Sequence, residues 1–180
     1  MCVEPFSGSG TTALELQNCG IACFAFEVNP LMYLIARVKL ENGYELERFE
    51  YWYDYIVKER SKKIVELETE FNTLYQGEGK KKWNYNTDIG IAVEKLRQVI
   101  ESISEVIYKE LFKVALAAIL LDVSNLYRNG KCLSYKKKWE DRKIVEKDVF
   151  DKFDEKVLKE LKCDIENSIT RTNINNKARL

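Results

Sequence analysis

Two glycines separated by one residue, in Glu4-Pro5-Phe6-Ser7-Gly8-Ser9-Gly10-Thr11-Thr12, constrain this chain more than any other stretch. Lacking Cβ atoms, they let the backbone turn sharply and approach a ligand where any side chain would collide. Residues 2 to 6 read as the end of a strand, and Thr11 to Asn18 as a helix built on Ala13, Leu14 and Leu16. Gly20 stops that helix, and Ile21 to Phe26 read as a second strand. This order is β-turn-α-β. The free N–H groups at the start of such a helix face whatever the turn cradles. Gly8-Ser9-Gly10-Thr11-Thr12-Ala13 matches the pattern GxGxxG/A, and Glu27 follows at the end of the next strand. An acid at that place accepts hydrogen bonds from ribose hydroxyls, so the two features together describe a ligand that carries a ribose.

The character of the chain changes further along. Pro30 suits the first turn of another helix, carried by Leu31, Leu34, Ile35 and Val38 until Asn42-Gly43 ends it. From Tyr44 to about Phe71 the chain is charged and aromatic at helical spacing, and Gln76 to Lys82 reads as a basic loop. A helical stretch follows Thr87-Asp88 as far as Ile107 and continues or restarts through Leu111 to Leu126. Its part from Val114 to Leu121 is apolar nearly all round, which predicts the buried central helix of a helical subdomain. Arg128 to Lys131 reads as a turn, a lysine-rich segment follows, and Val149 to about Ser168 is again helical in pattern. Beyond Phe26 no convincing strand is found, so either a sheet built on the first two strands is completed by residues outside the chain or further strands carry no readable pattern. The expected divisions are 1–42, 43–130 and 131–180.

Composition narrows the chemistry. The 180 residues, 46% hydrophobic and 32% charged, suit one soluble globular domain with a real core. No apolar stretch is long enough to span a bilayer and no secretory leader is visible, so the expected address is the cytoplasm, away from membranes. Five cysteines form no CxxC pair and read as reduced thiols on small, buried or half-buried side chains. Histidine is absent, which removes Ser-His-Asp and Cys-His nucleophile schemes and histidine-containing zinc sites from this polypeptide; no metal is expected. Lysine plus arginine equals aspartate plus glutamate at 29 each, so contact with nucleic acid must come from a local patch. Two stretches invite that reading: the aromatic run Tyr51-Trp52-Tyr53-Asp54-Tyr55 as a base-stacking platform, and Arg128, Lys131, Lys136, Lys137 and Lys138, with Arg142 and Lys143, as phosphate contacts. The competing readings are aromatics that pack a helical subdomain and a solvated charged face interrupted by Glu140 and Asp141.

At Glu4 to Thr12 the chain resembles the S-adenosylmethionine-binding motif of amino-methylating DNA methyltransferases, Asp-Pro-Phe-x-Gly-Ser-Gly-Thr-Thr, with Glu4 where aspartate is usual. Phe26-Glu27-Val28-Asn29-Pro30 is similar to the second-strand motif of that family, and Leu116 to Lys138 to a helical insertion in one group of its members. The resemblance covers residues 3–40 closely and 110–155 more loosely. It implies an α/β fold, a partial Rossmann-like methyltransferase sheet with a mainly α-helical insertion, and S-adenosylmethionine as cofactor. It also implies roles: Glu27 on the ribose diol, Val28 against the adenine, Phe6 as a pocket wall, and the backbone of Ser7, Gly8 and Gly10 beside the amino-acid moiety. Glu4 and Pro5, at the start of the motif, are also implied as cofactor-binding, Thr11 or Thr12 would bond the cofactor carboxylate, and Asn29 either joins the loop or caps the next helix. Methylation of cytosine N4 or adenine N6 in such enzymes uses a (Asp/Asn/Ser)-Pro-Pro-aromatic loop that holds a flipped base. With Pro5 and Pro30 its only prolines, this sequence has no such loop. The expectation is therefore a cofactor-binding portion that acts on DNA, with the catalytic loop on a second polypeptide or on a C-terminal segment missing from this chain. The alternatives are a fragment of an NAD-type oxidoreductase and a non-catalytic cofactor-binding subunit or inactive remnant.

Overall fold

The structure, a computed structural model, describes residues 1–68 and 73–170. Its first forty residues form a β-α-β-α unit: strand β1 (Cys2–Glu4), helix α1 (Thr11–Asn18), strand β2 (Cys23–Ala25) and helix α2 (Pro30–Leu40). The strands pair in parallel, with Val3 opposite Phe24. Alternation along a strand sends Cys23 and Ala25 to one face, where they meet Ala13, Leu14, Leu16 and Leu40 in a small core. The other face leaves Val3 and Phe24 exposed. Gly10, at φ +78°, starts α1, and a Cβ there would stand 2.8 Å from the Cβ of Ala36. Glycine at this position is what lets α2 pack against the turn.

The rest is a helical body of α3 (Leu46–Arg60), α4 (Thr87–Glu101), α5 (Val106–Val123), α6 (Glu146–Lys156) and α7 (Lys162–Thr170), with a π-helical turn at Val157–Leu161 joining the last two. Helix α5 lies at the centre, in contact with α2, α4 and α6, but the burial expected from its all-round apolar pattern is partial: Ala118 and Leu121 are exposed. Phe49 of α3 stacks on Phe112 of α5 with ring centres 5.6 Å apart. Burying each such ring contributes roughly 1.5–3 kcal/mol. Two polar ties cross this core. The Tyr108 hydroxyl accepts from the Glu45 amide at 2.9 Å and donates to the Glu45 carbonyl at 3.2 Å, closing the start of α3. The Arg60 guanidinium makes a two-pronged pair with Asp154 of α6 at 2.6 and 2.7 Å and lies over the Phe150 ring.

Several expectations are corrected here. The turn read at Arg128 to Lys131 is present at Gly130-Lys131, but it joins two unexpected strands, β3 (Leu126–Asn129) and β4 (Cys132–Tyr135), in a hairpin. Its two-residue loop has Gly130 at φ +60°, as primed hairpin turns require. Most of its strand residues are exposed or half-buried, so no apolar alternation announces them. Helix α3 stops at Arg60 rather than near Phe71: Ile64 continues the helical spacing but is exposed, and a period that buries nothing does not hold a helix. Phe71 itself lies outside the described residues. Between α4 and α5 the helix restarts, with the Ser102 hydroxyl donating to the Val99 carbonyl at 2.7 Å. The division expected at 130 falls at the hairpin tip, and α6 shares its core with α3 to α5; residues 171–180 lie outside the described residues. The architecture is thus mixed α/β, mainly helical with two small sheets, and among the described residues no third strand joins β1 and β2. No described helix is long and apolar enough to cross a membrane.

Candidate cofactor-binding site

The glycine turn hangs from the carboxyl ends of both strands. The Ser7 amide donates to the Phe26 carbonyl at 2.9 Å, and the Gly10 amide closes the turn on the Ser7 carbonyl at 2.9 Å. Glu27 then acts as a latch. One carboxylate oxygen accepts from the Gly8 amide at 2.7 Å and the other from the Asn29 amide at 2.7 Å. Each oxygen keeps a second lone pair, so the carboxylate retains room to accept from a diol while it fixes both loops. The side chain of Asn29 accepts from the Leu31 and Met32 amides at 2.9 and 3.2 Å, which makes it the N-cap of α2, with Pro30 following at the first helical position.

What surrounds the latch has the features of a binding site. Gly8, at φ +54°, faces open space: a Cβ there would meet nothing within 4 Å. Ser7 is only 6% exposed, yet among the described residues its hydroxyl has no hydrogen-bond partner, and a carboxylate oxygen of Glu4 is likewise buried and unpaired among them. Buried polar atoms are rarely left so, and a partner that the chain does not itself provide is the ordinary remedy. Helix α1 begins at Gly10, which supplies no side-chain cap, so its first N–H groups remain for a ligand. Thr11 and Thr12 stand exposed at that end. Phe6 is 88% and Val28 98% exposed, two apolar side chains on the loops at either side of the turn, and Pro5 is exposed beside them. Burial, aided by the neighbouring Cys2 and Glu4, pushes the Cys23 thiol up, so this cysteine stays protonated and unreactive. One participant escaped the sequence reading: the Lys39 ammonium donates to the Ser9 hydroxyl at 3.2 Å, tying α2 to the turn. Its place on α2, three residues after the Ala36 that packs on Gly10, gives no signal without the fold.

The residues set aside for nucleic acid are not brought together in the same way. The Lys136 ammonium donates to the carbonyls of Leu121, Asp122 and Ser124 at 3.4, 3.0 and 2.8 Å, and the Arg142 guanidinium also donates to the Ser124 carbonyl. Both cations therefore satisfy the carbonyls at the end of α5, and burial pushes the pKa of each down. Arg128 donates to the Gly130 carbonyl within the hairpin, while Lys131, Lys137 and Lys138 are exposed. Of the aromatic run, Trp52 is buried and donates to Glu105, Tyr55 is hydrogen-bonded to Ser102, and Tyr51 alone is widely exposed, with Arg48 over its ring. Packing accounts for Trp52 and Tyr55 of that run. No known protein family, curated protein or solved structure matches this chain.

Proposed function

We propose that the chain is the cofactor-binding portion of an S-adenosylmethionine-dependent DNA methyltransferase acting on an exocyclic amino group, cytosine N4 or adenine N6. The observation that carries the reading is the buried, partnerless Ser7 hydroxyl beside the open face of Gly8 and the uncapped start of α1. These groups fit a zwitterionic amino-acid moiety, and the Glu27 carboxylate, already held by two amides, is preorganised for a ribose diol. Phe6 and Val28 offer apolar surface to an adenine ring. When bound, S-adenosylmethionine supplies an electrophilic methyl group on a sulfonium. Within this chain, Glu27 would orient the ribose, the amides at the start of α1 with Thr11 or Thr12 would hold the carboxylate, and Phe6 would shield the sulfonium side from water. The identity of the acceptor as DNA rests on the resemblance of Glu4 to Thr12 and Phe26 to Pro30 to the amino-methylase motifs.

The catalytic loop is proposed to come from a second polypeptide or a further segment, completing a partial Rossmann-like sheet. Supporting this, β1 and β2 are parallel, and parallel sheets are ordinarily covered on both faces, yet Val3, Phe24 and Phe26 are exposed on or beside one face. A two-stranded sheet is also marginal by itself. Arg128, Lys131, Lys137 and Lys138 around the hairpin remain as candidate phosphate contacts. Calorimetric titration tests the cofactor. Saturable binding of S-adenosylmethionine without binding of NAD is expected, and the reverse would replace this reading with a dinucleotide-dependent oxidoreductase. The purified chain is expected to transfer no labelled methyl to DNA, and incorporation by the chain alone would refute the shared active site.

A further inference from the structure

A second cavity, of about 540 Å³, opens between α1, α2, α5 and the continuous α6–α7 rod, and no residue of the glycine turn lines it. Its volume lies in the range of small-molecule pockets, roughly 300–1,000 Å³. The walls are apolar, from Leu14, Ile35, Val38, Leu111 and Val114, with Ala118 exposed among them. Three independent features distinguish it from a packing defect. Gln17 lines it while only 4% exposed; its amide nitrogen donates to the Leu40 carbonyl at 3.2 Å, but its carbonyl oxygen has no partner among the described residues. The π-helical turn Val157–Leu161 supplies Glu160 and Leu161 to the wall, and π turns concentrate at functional sites. The charged lining is acidic on balance. Glu41, Glu160 and Asp164 face Lys39 and Lys156, of which Lys156 pairs with Glu160 and Lys39 reaches out to Ser9. Among the described residues Asp164 has no ion-pair partner.

From this arrangement we infer that the cavity binds a small organic amine with an apolar body, its N–H meeting the orphaned Gln17 oxygen and its ammonium drawn to the Asp164 side. An ammonium gains a contact with the exposed Asp164 carboxylate that a neutral ring lacks, and an anion meets the net negative charge of the lining. The inference is independent of the cofactor reading: the two sites meet only at Lys39, which lines the cavity and donates to Ser9, and no residue proposed to touch S-adenosylmethionine lines the cavity.

Tryptamine is a suitable probe, since it carries an indole N–H and a protonated amine on one apolar frame. Calorimetric titration of the full chain should show saturable 1:1 binding of tryptamine, with indole-3-propionate at least about tenfold weaker. Asp164→Asn, an exposed change that leaves the core alone, should weaken tryptamine about fivefold and leave neutral indole unaffected. Ala118→Trp should abolish binding by filling the cavity from its exposed side. Saturating S-adenosylmethionine should not displace the amine. Absence of saturable tryptamine binding, equal affinities for the amine and the acid, unchanged binding in Ala118→Trp, or displacement by S-adenosylmethionine would each overturn the inference.

Discussion

Gly8 and Gly10 stand two positions apart in one turn and are required for different reasons. Gly10 is structural: it combines φ +78° with a Cβ position 2.8 Å from Ala36, so Gly10→Ala strains the backbone and pushes α2 off the turn. That change is expected to lower unfolding free energy by about 2–4 kcal/mol in urea titration, more than strained backbone alone accounts for. Gly8 meets nothing, and Gly8→Ala at φ +54° is expected to cost only about 1–2 kcal/mol. Its methyl group would instead occupy the space proposed for the cofactor, so affinity for S-adenosylmethionine should fall more than tenfold. Equal stability losses in the two variants, with wild-type binding by Gly8→Ala, would contradict this division. Glu27 shows what the sequence could and could not convey at this scale. An acid at that place announces a ribose acceptor, but its grip on the Gly8 and Asn29 amides depends on the loops meeting in space. Lys136 is the converse case. In sequence it is indistinguishable from Lys137 and Lys138, and only the fold brings it to the carbonyls at the end of α5, 12 to 15 residues earlier.

Among the elements, α3 and α6 are tied at Asp154, which takes polar contacts from the Arg60 guanidinium and the Tyr53 hydroxyl of α3. Asp154→Ala would leave the Arg60 guanidinium, 8% exposed, without its partner beside Phe150. Arg60 is buried but Asp154 is half-buried, so the loss should lie between the surface and the fully buried limits, about 1–3 kcal/mol, and the variant should unfold at lower denaturant with an unchanged slope. Loss of less than about 1 kcal/mol would show that the fork contributes only as surface pairs do. The elements most legible in the sequence were those with punctuation: α1 between its glycines, α2 behind Asn29-Pro30, and α5 with apolar residues on every side. Those without it were not. The short, largely exposed strands of the β3–β4 hairpin bury no alternating face, and the end of α3 follows from the lack of a neighbour for Ile64, which no local pattern records.

Over the whole molecule, half-buried tyrosines set an alkaline limit. Burial, with the Asp154 charge adding to it, pushes Tyr53 up to about 12, and burial together with Tyr75 pushes Tyr85 up to about 12. Tyr44 is raised by burial and by the nearby Glu41 and Glu110. The native state thus keeps these phenols neutral while the unfolded chain ionises near the ordinary value of about 10. Their contribution is complete below pH 10 and is lost as pH rises towards 12, so stability should decline steadily across that interval. Circular dichroism with urea at pH 9, 10, 11 and 12 checks it, and a constant midpoint would contradict it. The molecule as a whole joins a helical body to a parallel strand pair with one exposed apolar face, and the glycine turn sits at the carboxyl end of that pair. That placement makes the turn the centre of the account. Backbone amide chemical shifts of the full chain, followed as S-adenosylmethionine is added, test it most directly. Saturable shifts at Gly8, Thr11, Thr12 and Val28, with none at Gln17 or Ala118, are the predicted result; an unperturbed glycine turn at saturating cofactor would contradict it.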